Sequence, residues 1–361
     1  MTQVAIESLV LLLRASLGKM PTSIPPTFEL RSAFTLAQQQ EASAIALDGL
    51  QKLAAIFPDL LTMDASLKTT KIQWIGSVMA QERRYYANYL AAKDLAELYD
   101  GNGIETYVLK GLSIAQLYPV PSHRFSCDLD CFLLSKNKKS KAYELGNSLA
   151  RAKGCSVDVD YYKHSVFVYK GLAVENHQYC CSVNRGKRTK ELECYLNSLL
   201  KDHAAECIND TKLALPPQMF QALFMIEHAN GHFLYSKMSM KSICDWAMMR
   251  NVFKETLDWA EFDNQCVHFG LKSFVDCMNH LADYVLGICN YQELFPIEKR
   301  VLADTIKETH LSSNKKKQRV EKAIGVLRSS WKFKYYCGDS MLKELAYSIW
   351  AYLREDEPEF D

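Results

Sequence analysis

Two aspartates separated by a single leucine open an apolar run, Asp128-Leu129-Asp130-Cys131-Phe132-Leu133-Leu134. In a strand successive side chains point to opposite faces, so Asp128 and Asp130 share one face while Leu129 and Cys131 point into a core. Residues two apart lie ~6.6–7 Å apart at Cα, from which two carboxylates can converge on metal ions ~3.5–4 Å apart. Paired acids on a buried strand are costly unless a cation sits between them. Mg²⁺ suits that place, because it prefers a few carboxylates together with phosphate oxygens. The alternative is a solvated strand face on which the two acids merely meet water.

The preceding stretch, Val108-Leu109-Lys110-Gly111-Leu112-Ser113, complements the acids. Gly111 lets the backbone approach a ligand closely, and a helix starting near Leu112 aims free N–H groups at an anion. Lys110 adds a charge and Ser113 a hydroxyl. A phosphate cradle followed by paired acids on the next strand is what metal-assisted phosphoryl chemistry requires. Glu175 is a third acid, in the apolar stretch Leu172-Ala173-Val174-Glu175-Asn176-His177. A strand paired with 128–134 would place it opposite the aspartates. As a ligand it completes the set; as a salt-bridge partner it does not, and its spacing allows either. His177 is expected to pack or hydrogen-bond beside it.

Around this unit the periodicity is helical. Gln38–Leu61 and Ile72–Leu98 carry apolar residues at three- and four-residue spacing, after a proline-rich loop over Met20–Phe28. Asp100-Gly101-Asn102-Gly103 is a helix stop, and Ile104–Leu109 reads as a strand. A short helix over Leu112–Tyr118 and a longer one over Lys138–Lys153 follow. Val166–Tyr169 and Leu172–His177 flank Lys170-Gly171, a hairpin turn. Beyond Pro216-Pro217, Met219–Ala229, Ser242–Val252, Phe274–Leu286 and Met341–Leu353 again show helical stripes. The expected fold class is therefore α+β. A helical segment (1–100) precedes a core with a small mixed sheet (101–190), then come a helical domain (191–354) and an acidic tail (355–361).

The charge balance narrows the partners. Lys plus Arg number 43 against 42 for Asp plus Glu, so bulk charge favours neither nucleic acid nor a membrane surface. The apolar run Leu9–Leu13 is far short of the ~20 residues of a membrane span and lacks the basic start of a secretory signal. The 12 cysteines are scattered without a CxxC pair, as expected of reduced, mostly buried thiols in the cytoplasm. Cys127 and Cys131 read as small core residues.

Asp158 and Asp160 form a second pair but lack a glycine turn before them, and read as an exposed edge strand. His228 and His232 lie four apart on one helix face, a spacing that can bind zinc. No Glu follows His228, so core or substrate-side histidines are the simpler reading. Lys241 and Asp245, also four apart, could pair on one face. The basic runs 136–141, 185–190 and 315–319 read as solvated surface, although 185–190 follows the Glu175 strand closely enough to face a polyanion.

Lys110-Gly111, a short helix, Tyr118-Pro119, Arg124 and Asp128-Leu129-Asp130 together resemble the uncharacterised nucleotidyltransferase family of the DNA polymerase β-like superfamily. Val174-Glu175-Asn176-His177 is similar to that family's strand ending in Glu-x-His, and 228–246 to its helical part. The resemblance implies a nucleotidyltransferase core with Asp128, Asp130 and Glu175 as catalytic ligands of two Mg²⁺ ions, or Mn²⁺. It puts Lys110, Gly111, Ser113, Arg124 and Lys241 at the nucleotide. The partners would be an NTP and an acceptor hydroxyl on a small molecule, a protein or an RNA end. Two positions depart from the pattern: Lys110-Gly111 replaces the superfamily's Gly-Ser or Gly-Gly pair, and Lys241 stands where an Arg is expected. Two rivals stay open, a catalytically silent nucleotide-sensing or protein-binding module of the same fold and a metallohydrolase built on His228, His232 and Asp245.

Overall fold

The computed structural model describes residues 3–61, 65–136, 141–184, 186–201, 203–287, 293–307, 324 and 329–336. The expected helix Met341–Leu353, the acidic tail, the run 315–319, Arg185 and most of the run 136–141 lie outside the described residues.

The fold is α+β. Helices α1 (Gln3–Leu17), α2 (Leu30–Gln39) and α3 (Ser43–Ile56) lead through a single turn, Pro58–Leu61, into α4 (Ala65–Asp100). Then come β1 (Ile104–Val108), the one-turn α5 (Leu112–Ala115), β2 (Asp128–Ser135), α6 (Ala142–Ala152) and the hairpin β3 (His164–Tyr169) and β4 (Leu172–His177). Helix α7 (Lys187–Lys201) precedes two short strands, β5 (Glu206–Cys207) and β6 (Leu213–Leu215). The remainder is helical: α8 (Gln218–Tyr235), α9 (Met240–Val252), α10 (Trp259–His268), α11 (Lys272–Leu286), α12 (Pro296–Ile306) and α13 (Ser330–Tyr336).

The six strands form one mixed sheet in the order β3-β4-β2-β1-β6-β5. β2 runs antiparallel to β1 and parallel to β4, and β6 runs parallel to β1. The period of two along β2 decides what each face touches. Leu129, Cys131 and Leu133 enter a buried cluster with Leu95 and Tyr99 of α4 and Ala150 of α6. Phe132 on the other face joins the larger helical cluster, with Tyr107 of β1 and Phe224 of α8. Asp128 and Asp130 therefore face the helical side. Residues of α1, α3, α8, α9 and α11 all belong to that second cluster, so helices before and after the sheet share one core.

Several expected elements differ in extent. Helical spacing predicts one helix over 38–61, but α2 ends at Gln39 and α3 begins at Ser43. The reason is tertiary. Gln40 is buried, its side-chain carbonyl accepts from Met240 N at 3.0 Å, and its backbone carbonyl from Lys241 N at 3.3 Å. Those are first-turn donors of α9, which have no partner within their own helix. The hairpin turns at Lys170 (φ 50°) and Gly171 (φ 85°), both left-handed, as a two-residue connection matching the strand twist requires. Helix α7, although Leu192, Leu196 and Leu200 repeat every four residues on its buried face, and the short strands β5 and β6 were not expected from the pattern. No described helix is long and apolar enough to cross a membrane.

A histidine ties the β1–β2 connection to the N-terminal helices. His123 Nδ1 meets Asp48 of α3 at 2.7 Å and Nε2 meets Glu82 of α4 at 3.1 Å. Burial alone would lower its pKa, but the two carboxylates outweigh burial and raise it. A raised folded-state pKa gives stability that is complete below the unfolded value of ~6.5 and is lost as pH rises through the folded one. Replacing His123→Gln should therefore cost about 1 kcal/mol at pH 6 and less at pH 9, read as the difference in urea midpoints between variant and wild type.

Candidate active site

Two neighbouring strands deliver the acids and the histidine of the site. β2 contributes Asp130, and β4 pairs with it so that Glu175 stands directly beside Asp130. His177, two residues on, shares the face of Glu175. One atom each of Asp130, Glu175 and His177 lies within 4.8 Å of the others, a grouping that can hold a metal ion. Asp128 is not part of that grouping. It lines the same cleft, with Lys110, Gly111, Glu175 and His177.

Asp130 is fully buried. Its Oδ1 accepts from Lys110 Nζ at 3.1 Å and from His177 Nε2 at 3.2 Å, while its Oδ2 has no partner among the described residues. An orphaned carboxylate oxygen beside Glu175 and a histidine suits a cation, because buried acceptors are otherwise satisfied. His177 Nδ1 faces the Tyr179 carbonyl at 3.2 Å, so that nitrogen donates. The contact fixes the ring and leaves Nε2 for the carboxylates or an ion, as a ligating histidine requires.

The charges respond to this packing. Burial pushes the Glu175 carboxyl up, but the hydrogen bond from His177 and the charge of Lys110 outweigh it and hold the pKa well below the usual range. For Asp128, burial and then the Asp130 charge win, and its pKa is raised. Burial works against the Lys110 ammonium, but the Asp130, Asp128 and Glu175 charges keep it firmly protonated.

The cleft holds about 500 Å³. At its sheet edge Gly111 takes φ 67°, and a Cβ there would meet Ser126 Oγ at 2.8 Å. Only glycine turns here without strain. Ser113, expected at the phosphates, is fully buried, and its Oγ has no partner among the described residues. Cys127 is exposed rather than core, because it lies just before β2 at the cleft rim. Asp158 makes one bridge to Val166 at the sheet edge, and both Asp158 and Asp160 are exposed.

The helical residues group differently from the expectation. Lys241 pairs with Glu41 at 2.5 Å, not with Asp245. Asp245 is buried and takes Arg124 through both oxygens, at 3.1 Å from Nε and 2.7 Å from Nη2, with Tyr118 OH at 2.7 Å. The guanidinium presents a two-pronged donor where an ammonium cannot, which selects Arg124 over Lys241. Arg124 thus lines the cleft as part of its frame and reaches the Gly111 carbonyl at 3.4 Å. His228 and His232 also line the cleft, but His228 Nε2 faces Lys110 Nζ at 3.3 Å, and Asp245 is taken. The histidine–aspartate metal set of the rival hydrolase reading is therefore not assembled.

Sequence reasoning missed His164, Lys163, Tyr161 and Glu227, which line the cleft too. His164 was within reach of it: counting back from the Lys170-Gly171 turn pairs it with His177, whose ring it stacks on at 5.0 Å. Removing the acid at Asp245→Ala should strand the buried Arg124 charge. We expect a loss of about 3–5 kcal/mol, measured by denaturant unfolding; a loss under 1 kcal/mol would remove this pair from the frame.

No curated protein and no solved structure matches the chain. Residues 26–287 match the family described as uncharacterised nucleotidyltransferase, a span holding the sheet, the acids and helices α8 and α9. Lys110, Gly111, Asp128 and Glu175 line one cleft with Asp130 buried beside them, and by the match over residues 26–287 the chain belongs to the uncharacterised nucleotidyltransferase family.

Proposed function

We propose that this protein is a Mg²⁺-dependent nucleotidyltransferase that moves a nucleoside monophosphate from an NTP to an acceptor hydroxyl. The observation that carries this reading is the grouping of Asp130, Glu175 and His177, with an orphaned buried oxygen on Asp130, beside Lys110 and the Gly111 turn. Family membership supports the kind of reaction and the use of a divalent metal.

Asp130, Glu175 and His177 would hold one ion, and Asp128 would join Asp130 at a second. Bound there, such ions stabilise charge on the transferring phosphoryl group and acidify the acceptor hydroxyl. Lys110 offsets charge on the phosphates, and Gly111 lets them approach the backbone. Of Asp128 and Glu175, which both line the cleft, Asp128 has the raised pKa and Glu175 the lowered one. Glu175, held ionised, is suited to ligate an ion, and Glu175 or an aspartate would take the acceptor proton. Lys241, which also lines the cleft with its ammonium over the Phe125 ring, is a further nucleotide-contact candidate, once its tie to Glu41 opens.

The ten described cysteines are free thiols, which supports a reducing compartment such as the cytoplasm. The acceptor class is open to a small molecule, a protein or an RNA end. A near-neutral chain does not favour nucleic acid.

Incubation with each labelled NTP and Mg²⁺, followed by mass spectrometry of small molecules and protein, should reveal pyrophosphate and an NMP adduct. Asp130→Asn keeps size and removes ligand charge, so transfer should fall at least about a hundredfold while the circular dichroism spectrum is kept. Undiminished turnover in Asp130→Asn would refute the metal-assisted reading.

A further inference from the structure

Lys110 touches Asp130 from the cleft, beside His177, and its second contact is unusual. Its ammonium donates to Asp130 Oδ1 at 3.1 Å and meets His228 Nε2 at 3.3 Å. An ammonium has three donors and no acceptor, so His228 Nε2 must be unprotonated. His232 Nε2 lies 2.8 Å from that same nitrogen and must then be the donor, carrying its proton on Nε2. His232 Nδ1 is left as an acceptor, and Ser236 Oγ stands 3.1 Å from it. The single lone pair of His228 Nε2 is shared by the Lys110 and His232 donors, as a three-centre acceptor. The Ser236 hydroxyl, whose other acceptor is the His232 carbonyl at 3.4 Å, lies closer to His232 Nδ1. On those terms the chain Ser236, His232, His228, Lys110, Asp130 is connected.

The surroundings hold that assignment. The Phe224 ring lies nearly parallel to the His228 ring at 5.8 Å, one turn earlier on α8, and fixes its plane. Burial and then the Lys110 charge depress both imidazoles, His228 well below its ordinary value and His232 to about 3. A neutral acceptor is what a lysine that must keep its charge needs: an imidazolium would repel it, and another carboxylate would cancel it. Two of the three ammonium hydrogens are taken, and the side chain remains 19% exposed at the cleft.

We infer that His228, held by His232 and Ser236, is a positioning residue that fixes the Lys110 ammonium at the cleft wall with one donor free for an anionic phosphate. Only the identity of that anion rests on the nucleotidyl-transfer reading. Lysine has four rotatable bonds, and Asp130 alone would leave its ammonium free to swing about one oxygen; two acceptors from opposite walls define its position. The sheet supplies the charge and the helical part supplies its aim.

The test uses the full chain labelled with ¹⁵N-lysine, without metal, observed through the Nζ–H correlations of slowly exchanging ammonium groups. Lys110→Arg identifies the Lys110 signal. His228→Phe keeps the stacking on Phe224 and removes the acceptor, so the signal should broaden away; His228→Gln restores an acceptor at the Nε2 position and should restore it. Ser236→Ala, at an exposed residue, should weaken the signal by freeing the His232 tautomer, and it stays informative if His228→Phe does not fold. In parallel, Mn²⁺–ATP affinity should fall about tenfold in His228→Phe, as loss of an aligned charged contact implies, and stay within about twofold in His228→Gln. A Lys110 signal unchanged in His228→Phe and Ser236→Ala, or absent from wild type, overturns the positioning role. Signals that behave as inferred in a wild type that binds no nucleotide uphold the positioning and refute the nucleotidyl-transfer reading instead.

Discussion

A fully buried carboxylate organises this protein. Asp130 is the third residue of β2 and has no exposure, and an isolated charge there would be prohibitively costly. The sheet resolves this by topology. β1, antiparallel on one side, ends two residues before Lys110; β4, parallel on the other, ends on His177. Both cations therefore arrive at the same Asp130 oxygen from neighbouring strands. Glu175 is carried along because it stands beside Asp130 in the parallel register. The cleft is in this sense a consequence of strand order, and the helices only enclose it.

What fixes the helices to the sheet is a second buried charge pair. Arg124 lies in the connection from β1 to β2, Asp245 on α9, and their two-pronged contact is shielded by Tyr118. Burial, with the charge of Asp245 beside it, pushes the Tyr118 hydroxyl well up, so it remains a donor to that carboxylate. The same guanidinium reaches the Gly111 carbonyl, so the tight turn and the helical wall share one anchor. Such a pair contributes little net stability against an apolar substitute, but it specifies one docking geometry. Lys241 is then free of Asp245 and closes the rim on Glu41.

Much of this was legible in the sequence, for reasons that differ by element. The face shared by Asp128 and Asp130 follows from strand alternation alone, and a single acid in the apolar run 172–177 was enough to mark Glu175. The hairpin was legible because two-residue turns fix register. Helix spacing marked α8, α9 and α11, but it could not show that Gln40 would break 38–61 to cap α9, since that contact spans 200 residues. Likewise a four-residue spacing put Lys241 next to Asp245, yet the geometry of the acid preferred an arginine 121 residues away. Strands β5 and β6 are too short to carry a period. The histidines at 228 and 232 were visible as a pair, whereas their contact with Lys110, just beyond β1, was not.

The net charge of +1 conceals a local balance that bears on the proposed chemistry. Lys110, Arg124, Lys163, Lys237 and Lys241 line the cleft against Glu41, Asp128, Glu175, Glu227 and Asp245. Arg124 and Lys241 are already committed to acids within that set, and Lys110 to Asp130. A triphosphate entering alone would therefore meet no strong positive field, and its charges would be opposed by Asp128 and Glu175. Cations travelling with the phosphates reverse that sign, turning the same acids from a barrier into the binding determinant. On the proposed reading, the acids of this cleft select for a nucleotide that brings its metal, and the chain keeps Lys110 as the small fixed charge that orients it.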